Sequence, residues 1–461
     1  MFYSLYGLFR RSGGLFRLLL LSALLPAVLS CSKSSSTPSY DTTDPTVSAF
    51  GFASNDSFPG LSAAKFLVEA LADTGCIRLM EKDSMLFGTS LRQVVPVVRY
   101  NSVPSAAIWY LGDTSQLLTG YDTLDFTRSP IYLRVYAADR EHEKWYRILP
   151  RVHQVDPDRY VWRRTTAQIA PPRSAEQHAM LADGRFCFFT NDGFTTSLFT
   201  SSDAAQWEQQ TVTGLPADCH VRTVVYDSLS SLFCYVADTV VYTSPDGAVW
   251  DTGFKDLWDK QWTCLSLLMS FDNKVWAVVR SGDVFRLATL DLKNSLFVLQ
   301  WEVDAAGFPV SDFSVVPFPG SSDRRQALLA GGYTADGRMT GGCYAFEAAP
   351  TGCRMVRLHE GMTGLQPFAG AGMAWYGKRM VWYGGMDNGL ALMDGMRVSL
   401  TEGMTWTALT DTTHSPWPAD FGARWRVSAF AQGDYIWLVG GQTASGFMTD
   451  VWRGRLNSVD W

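Results

Sequence analysis

Between residues 46 and 155, apolar and polar positions alternate in short runs broken by turn residues. The runs at 47–52, 95–100, 107–111, 131–136 and 144–149 read as strands, because alternation with a period of two puts one side-chain face into a core. Five such strands in roughly 110 residues predict a β-sandwich of immunoglobulin-like size. The Cys…Trp…Cys spacing of true immunoglobulin domains is missing, so the prediction covers architecture only.

From residue 156 the pattern becomes a repeat. Trp162, Trp207, Trp250, Trp301, Met355 and Trp406 recur at similar spacing, and an apolar run lies upstream of each repeat's turn. Six such runs start near residues 175, 218, 262, 313, 369 and 424. Three of them end in glycine doublets, Gly331-Gly332, Gly384-Gly385 and Gly440-Gly441. A period of 40–55 residues built from four strands is that of a β-propeller. The doublets resemble those of kelch repeats, and the first three repeats are degenerate. The chain ends where the outermost strand of a last blade should begin, while a spare strand stands at residues 160–165. The strand count therefore predicts an all-β chain: an N-terminal β-sandwich, then a six-bladed kelch-like β-propeller at 156–461, closed by its own N-terminal strand.

The first thirty residues read as a signal peptide. Arg10, Arg11 and Arg17 precede an apolar run at 18–29, too short to span a bilayer as a stable anchor. Val28-Leu29-Ser30-Cys31 resembles a bacterial lipobox, which makes Cys31 the expected lipidation site. Ser12-Gly13-Gly14 stands where a twin-arginine signal needs apolar residues, so general secretion is expected. Residues 31–45 read as a flexible tether. Ser at position 32, rather than Asp, favours the outer membrane, on its periplasmic or its surface face.

Composition narrows the partners. The net charge is −6 with no basic cluster, which argues against nucleic acid. Charged residues are 18% and aromatic residues 13%, a balance that suits an extracytoplasmic β protein. Apart from Cys31, seven cysteines are expected to act mostly as buried small hydrophobes. Cys343 and Cys353 flank a hairpin turn and are the one pair placed to form a disulfide.

No catalytic motif emerges. The six histidines form no H-x-H or H-x-x-x-H pair of the kind that a copper oxidase propeller needs, and no motif places a sialidase's arginines. No cofactor and no metal site are expected. The turns around Asp203 and Asp246 resemble shortened Asp-boxes, in which the Asp caps a hairpin. Ligand sites on propellers gather where the loops into the innermost strands converge on the axis. The expected ligand-facing residues are Arg173, His178, Asp218, His220, Arg222, Asp259, Asp312, His414, Trp417 and Arg424. Trp417 can stack on a sugar or peptide, or pack onto its own loop.

The junction from Val152 to Asp158, followed by Tyr160-Val161-Trp162, resembles the linker of Bacteroidota lipoproteins that join an immunoglobulin-like domain to a kelch-type propeller. That resemblance implies architecture and envelope location and carries over no catalytic residue. The expected function is a non-enzymatic envelope lipoprotein, a membrane-anchored binding or scaffold module for a protein or glycan. The alternative is a glycan-active enzyme, a hydrolase or oxidase, on the same scaffold.

Overall fold

The computed structural model describes residues 41–80, 85–171, 176–254, 257–320, 324–358, 363–409 and 416–457. The expected signal peptide, Cys31, most of the expected tether, Arg173 and His414 lie outside the described residues. Two compact units are present. One holds the residues before 85 with 90–151, and the other holds 85–89 with 152 onward.

The first unit is an unequal sandwich. Its strands are β1 (Val47–Phe52), β2 (Phe66–Glu69), β3 (Thr74–Leu79), β4 (Pro96–Tyr100), β5 (Ala106–Leu111), β6 (Thr114–Leu117), β7 (Ile131–Tyr136) and β8 (Glu143–Leu149). Six form one sheet in the order β2-β3-β8-β7-β5-β6, and β1 pairs with β4 in a small second sheet. Among the described strands of this unit, only β3 and β8 pair in parallel. Alternation drives the packing: Ile131, Leu133 and Val135 of β7 are buried while Tyr132, Arg134 and Tyr136 face outward. Phe50 and Phe52 of β1 meet Phe66, Trp109 and Phe126 at ring separations of 4.8–6.4 Å, closing the core between the sheets.

The second unit is a ring of six blades. Their innermost strands are Glu176–Ala182, Val225–Asp227, Thr263–Phe271, Ser314–Pro319, Gly372–Tyr376 and Ser428–Gln432. Five blades have four antiparallel strands, and in blade 2 the fourth is reduced to the bridge between Thr243 and Asp251. Six buried hydrophobic clusters fill the six seams between neighbouring blades.

Closure follows the strand count. The spare strand β9 (Tyr160–Thr166) pairs antiparallel with Gly446–Leu456 of blade 6, placing Trp162 opposite Gly454 and Arg164 opposite Trp452. A side chain at 454 would sit 2.5 Å from the Trp162 ring, so the missing Cβ is what lets the indole lie flat across the neighbouring strand. Trp162 then meets Tyr383 of blade 5 edge-on at 5.7 Å, sealing the seam.

The periodic aromatic position falls on, or just before, the outermost strand of every blade. In blades 1, 2, 4, 5 and 6 it faces the preceding seam. Trp301 of blade 3 faces the following one instead and stacks on Trp276 at 5.8 Å. A bulge causes the reversal: Arg286 pairs with Glu302 but Ala288 with Leu299, so one extra residue flips every side chain beyond it. Leu299 and Phe297 fill the seam that Trp301 leaves.

The glycine doublets tie blades 4, 5 and 6 each to the next. The N–H of the second glycine donates across the seam: Gly332 to Phe368 O, Gly385 to Arg424 O and Gly441 to the Gln177 side-chain oxygen. Gly384 has a left-handed φ of 59°, and a Cβ there would stand 2.2 Å from Arg424 O. Only glycine allows blades this close.

Two sequence expectations are corrected here. Cys343 stands opposite Leu358 and Cys353 opposite Ala348, at opposite ends of one hairpin, and both thiols are free. A disulfide cannot span that separation along two paired strands. Arg424 is not ligand-facing: it is 1% exposed and bonded at 2.8 Å to the equally buried Asp450.

Candidate functional site at the axial mouth

The innermost strands surround an axial channel of about 320 Å³, to which all six blades contribute. A polar network is built on the loops that enter the innermost strands, at one mouth of this channel. Asp312, Gly370 and Arg426 each stand two residues before such a strand, and all three have left-handed φ values, 48°, 64° and 56°. That geometry turns each loop toward the next. Gly370 N donates to Asp312 O at 2.7 Å, and Arg426 N donates to Gly370 O at 2.6 Å.

Side chains complete the circuit. Arg426 grips Asp312 with two hydrogen bonds, 2.8 and 2.6 Å, and its guanidinium lies 4.2 Å from the Trp425 ring. Arg222 approaches the same carboxylate at 3.2 Å and donates to the carbonyls of Gln177 and Arg426. Asp312 is 6% exposed, so its charge is balanced by two guanidiniums in a nearly dry site. Burial pulls the Arg222 guanidinium below its ordinary value despite the Asp312 charge beside it. Burial also works against the charge on Arg426, but the hydrogen bonds and charge of Asp312 outweigh it and hold that value up.

Two histidines flank the network. His220 is exposed, and Glu176 at 3.7 Å raises its value. The Nδ1 of His178 is shut off from solvent and has no hydrogen-bond partner in the protein. Burial first, then the Arg222 charge, pull His178 down to about 3.

A pH dependence follows. In the unfolded chain His178 takes a proton near its ordinary value of 6.5, while the folded imidazole stays neutral to about 3. Between those limits the unfolded state binds more protons, so stability falls as pH drops through that window. The expected slope is on the order of 1 kcal/mol per pH unit. Urea midpoints at pH 7 and pH 4.5 should separate less in His178→Gln than in the native protein, and equal separations would refute this role.

Four of the expected residues, His178, His220, Arg222 and Asp312, therefore come together. Asp218 is exposed and reaches the site only through its charge, which helps to raise His220, and Asp259 is exposed and holds its own turn by accepting from Gln261 N. Trp417 packs half-buried against the seam cluster of blades 5 and 6 rather than onto its own loop alone. Sequence reasoning passed over Arg426, Glu176 and Tyr333; burial first, then the Asp312 charge, raise the Tyr333 hydroxyl against the opposing charge of Arg426. The matching position of Gly370 and Arg426 ahead of their glycine doublets was the available signal.

The shortened Asp-boxes cap hairpins. Asp246 Oδ1 accepts from Ala248 N, Val249 N and the Ser244 hydroxyl, and Asp203 repeats the pattern with Ala205, Gln206 and Ser201. In blade 5 the hydroxyls of Ser399 and Thr401 do the same work. Among the described residues no cluster of three or more His, Cys, Asp or Glu could hold a metal ion.

The family model described as the DUF6242 beta propeller domain matches residues 156–461. The chain belongs to that family. The matched span begins just ahead of β9, so the domain as the DUF6242 family defines it contains both partners of the closing pair. No curated protein matches the sequence. The axial network of this DUF6242 propeller thus stands on its own geometry.

Proposed function

We propose that the chain is a lipid-anchored envelope protein with an immunoglobulin-like N-terminal domain. Its kelch-type propeller serves as a binding or scaffold module for an envelope protein or a glycan. The observation that carries this reading is the engaged state of Asp312. A general base needs a carboxylate free to reach a substrate proton. Here both oxygens are held by guanidiniums, so the mouth is built for rigidity and recognition rather than proton transfer. The glycine doublets support the kelch-type assignment, and the lipobox at residues 28–31 supports the anchor.

The reading is tested by capture. Native protein and Asp312→Asn are immobilised and exposed to solubilised outer-membrane proteins and to envelope polysaccharides. A species retained by the native mouth and lost from Asp312→Asn is expected. Turnover of a glycan by the native protein, abolished in Asp312→Asn, would overturn the reading in favour of an enzyme.

The anchor has its own expected outcome. Cys31→Ala should move the protein from the membrane pellet to the soluble envelope fraction, because two acyl chains supply the membrane affinity. A Cys31→Ala protein that still sediments after a salt wash would remove the lipobox reading.

A further inference from the structure

The outer face of the six-stranded sheet in the first unit carries a group of rings and guanidiniums for which the propeller mouth has no use. Tyr110 on β5, Tyr132 on β7 and Arg147 on β8 stand in one row across the strands, and Ile108, Arg134 and Trp145 in the next. Trp145 lies 5.0 Å from Tyr110 at a tilt of 35° and meets Tyr132 edge-on at 6.2 Å. Arg134 lies over both Trp145 and Tyr136, at 5.0 and 4.6 Å, and Glu143 holds it there with a 3.0 Å bond. All four rings are half-buried, and at the margins Leu117 is 56% and Leu149 40% exposed.

This face is rigid from below. Trp109, Leu133 and Tyr146, on the opposite side of the same three strands, have no exposure at all. The rings are thus presented in fixed positions, so a partner gains contact without the cost of ordering them.

We infer that this face is a glycan-binding platform, with the polysaccharide chain running over Trp145, Tyr110 and Tyr132. The charges support that choice of partner. Arg134 pairs with Glu143 and Arg78 with Glu69, so most of the face cancels and a charged ligand is not required. Protein interface centres are depleted of carboxylates, whereas here Glu143 and Glu69 stand on the same face as the rings, each holding a guanidinium. Sugar rings offer the complementary surface, with apolar C–H faces for the aromatic rings and hydroxyls for Arg134, Arg147 and the tyrosine hydroxyls. Arg147 is exposed and lies next to Tyr132, positioned to donate to a hydroxyl at the end of that row.

The test is affinity electrophoresis of the full chain through gels containing dextran, xylan or polygalacturonate. A neutral polysaccharide should retard the native protein. Trp145→Ala should weaken that binding at least about tenfold, as expected from losing one stacked ring. Tyr132→Ser serves as a second variant should Trp145→Ala fail to fold. No retardation by any of the three polymers would overturn the inference, as would retardation by polygalacturonate alone or unchanged binding in both variants. Binding lost in Asp312→Asn but kept in Trp145→Ala would place the glycan at the propeller mouth and overturn this site while sparing the proposed function.

Discussion

A propeller expressed from residue 170 is expected to aggregate, while one expressed from residue 156 is expected to fold and unfold cooperatively. The shorter chain lacks β9, and with it the strand that pairs with the outer edge at residues 451–456. Unpaired amides on a long apolar edge invite pairing with another chain. The seam between blades 5 and 6 also loses Tyr160 and Trp162, which pack there with Tyr383, Trp452 and Leu456. Two aromatic side chains burying roughly 150–250 Å² each contribute on the order of 10 kcal/mol at about 25 cal/mol per Å², as an upper bound. That matches the whole stability of a typical domain, about 5–15 kcal/mol. Size-exclusion chromatography and thermal melting of the two proteins decide the matter. Equal yields of monomer with equal melting temperatures would mean that the ring does not depend on β9.

The second large effect is expected at the ion pair between Arg424 and Asp450. Both are buried, at 1% and 3% exposure, and they meet at 2.8 Å. Arg424 also donates to the carbonyls of Gly440 and Gly422, and its guanidinium lies 3.7 Å from the Phe421 ring. Asp450 accepts from the Trp452 indole. Removing either partner strands a charge out of reach of water, which typically costs about 3–5 kcal/mol. Asp450→Ala should therefore lower the urea midpoint far more than Glu143→Ala, whose partner Arg134 is only partly buried and stays in reach of water. The double substitution Arg424→Met with Asp450→Leu should recover most of the loss, because it leaves no unpaired charge. A double variant no better than Asp450→Ala would show that the hydrogen bonds of Arg424 to the backbone matter more than the charge pair.

Which parts of this molecule could be read in advance depends on how local the determining physics is. The blade repeat was legible because each seam needs one large side chain at the same place, and the glycine doublets mark close approaches that no other residue permits. The closing strand was legible by counting. The strands β2, β3 and β6 were not: Thr114–Leu117 is exposed at every position, so it carries no alternation. In β3, Gly75 interrupts the apolar pattern because the Tyr146 ring occupies the space of its side chain. At the mouth, Arg424 was chosen and Arg426 missed. The two flank Trp425 and are chemically alike, yet Arg424 enters the seam while the left-handed turn at Arg426 aims that residue at the axis. Such a choice is made by backbone geometry, to which composition and spacing are blind. The same holds for Trp301, where a single bulge overrides the period.

The pairing of β9 with Gly446–Leu456 also dictates an order of events during synthesis. Of all the propeller's strands, β9 leaves the ribosome first, and the strand it needs leaves last. Until then its Trp162 and Tyr160 have no seam to enter, and the five intervening blades can stack but cannot lock. A contact between such distant parts of the chain forms only after the intervening segments have drawn its ends together. The nascent ring is therefore a spring washer with its catch at the very end. It remains open, with an adhesive first strand, for the whole time the rest of the chain takes to emerge, and this is the interval in which a holding chaperone has something to hold.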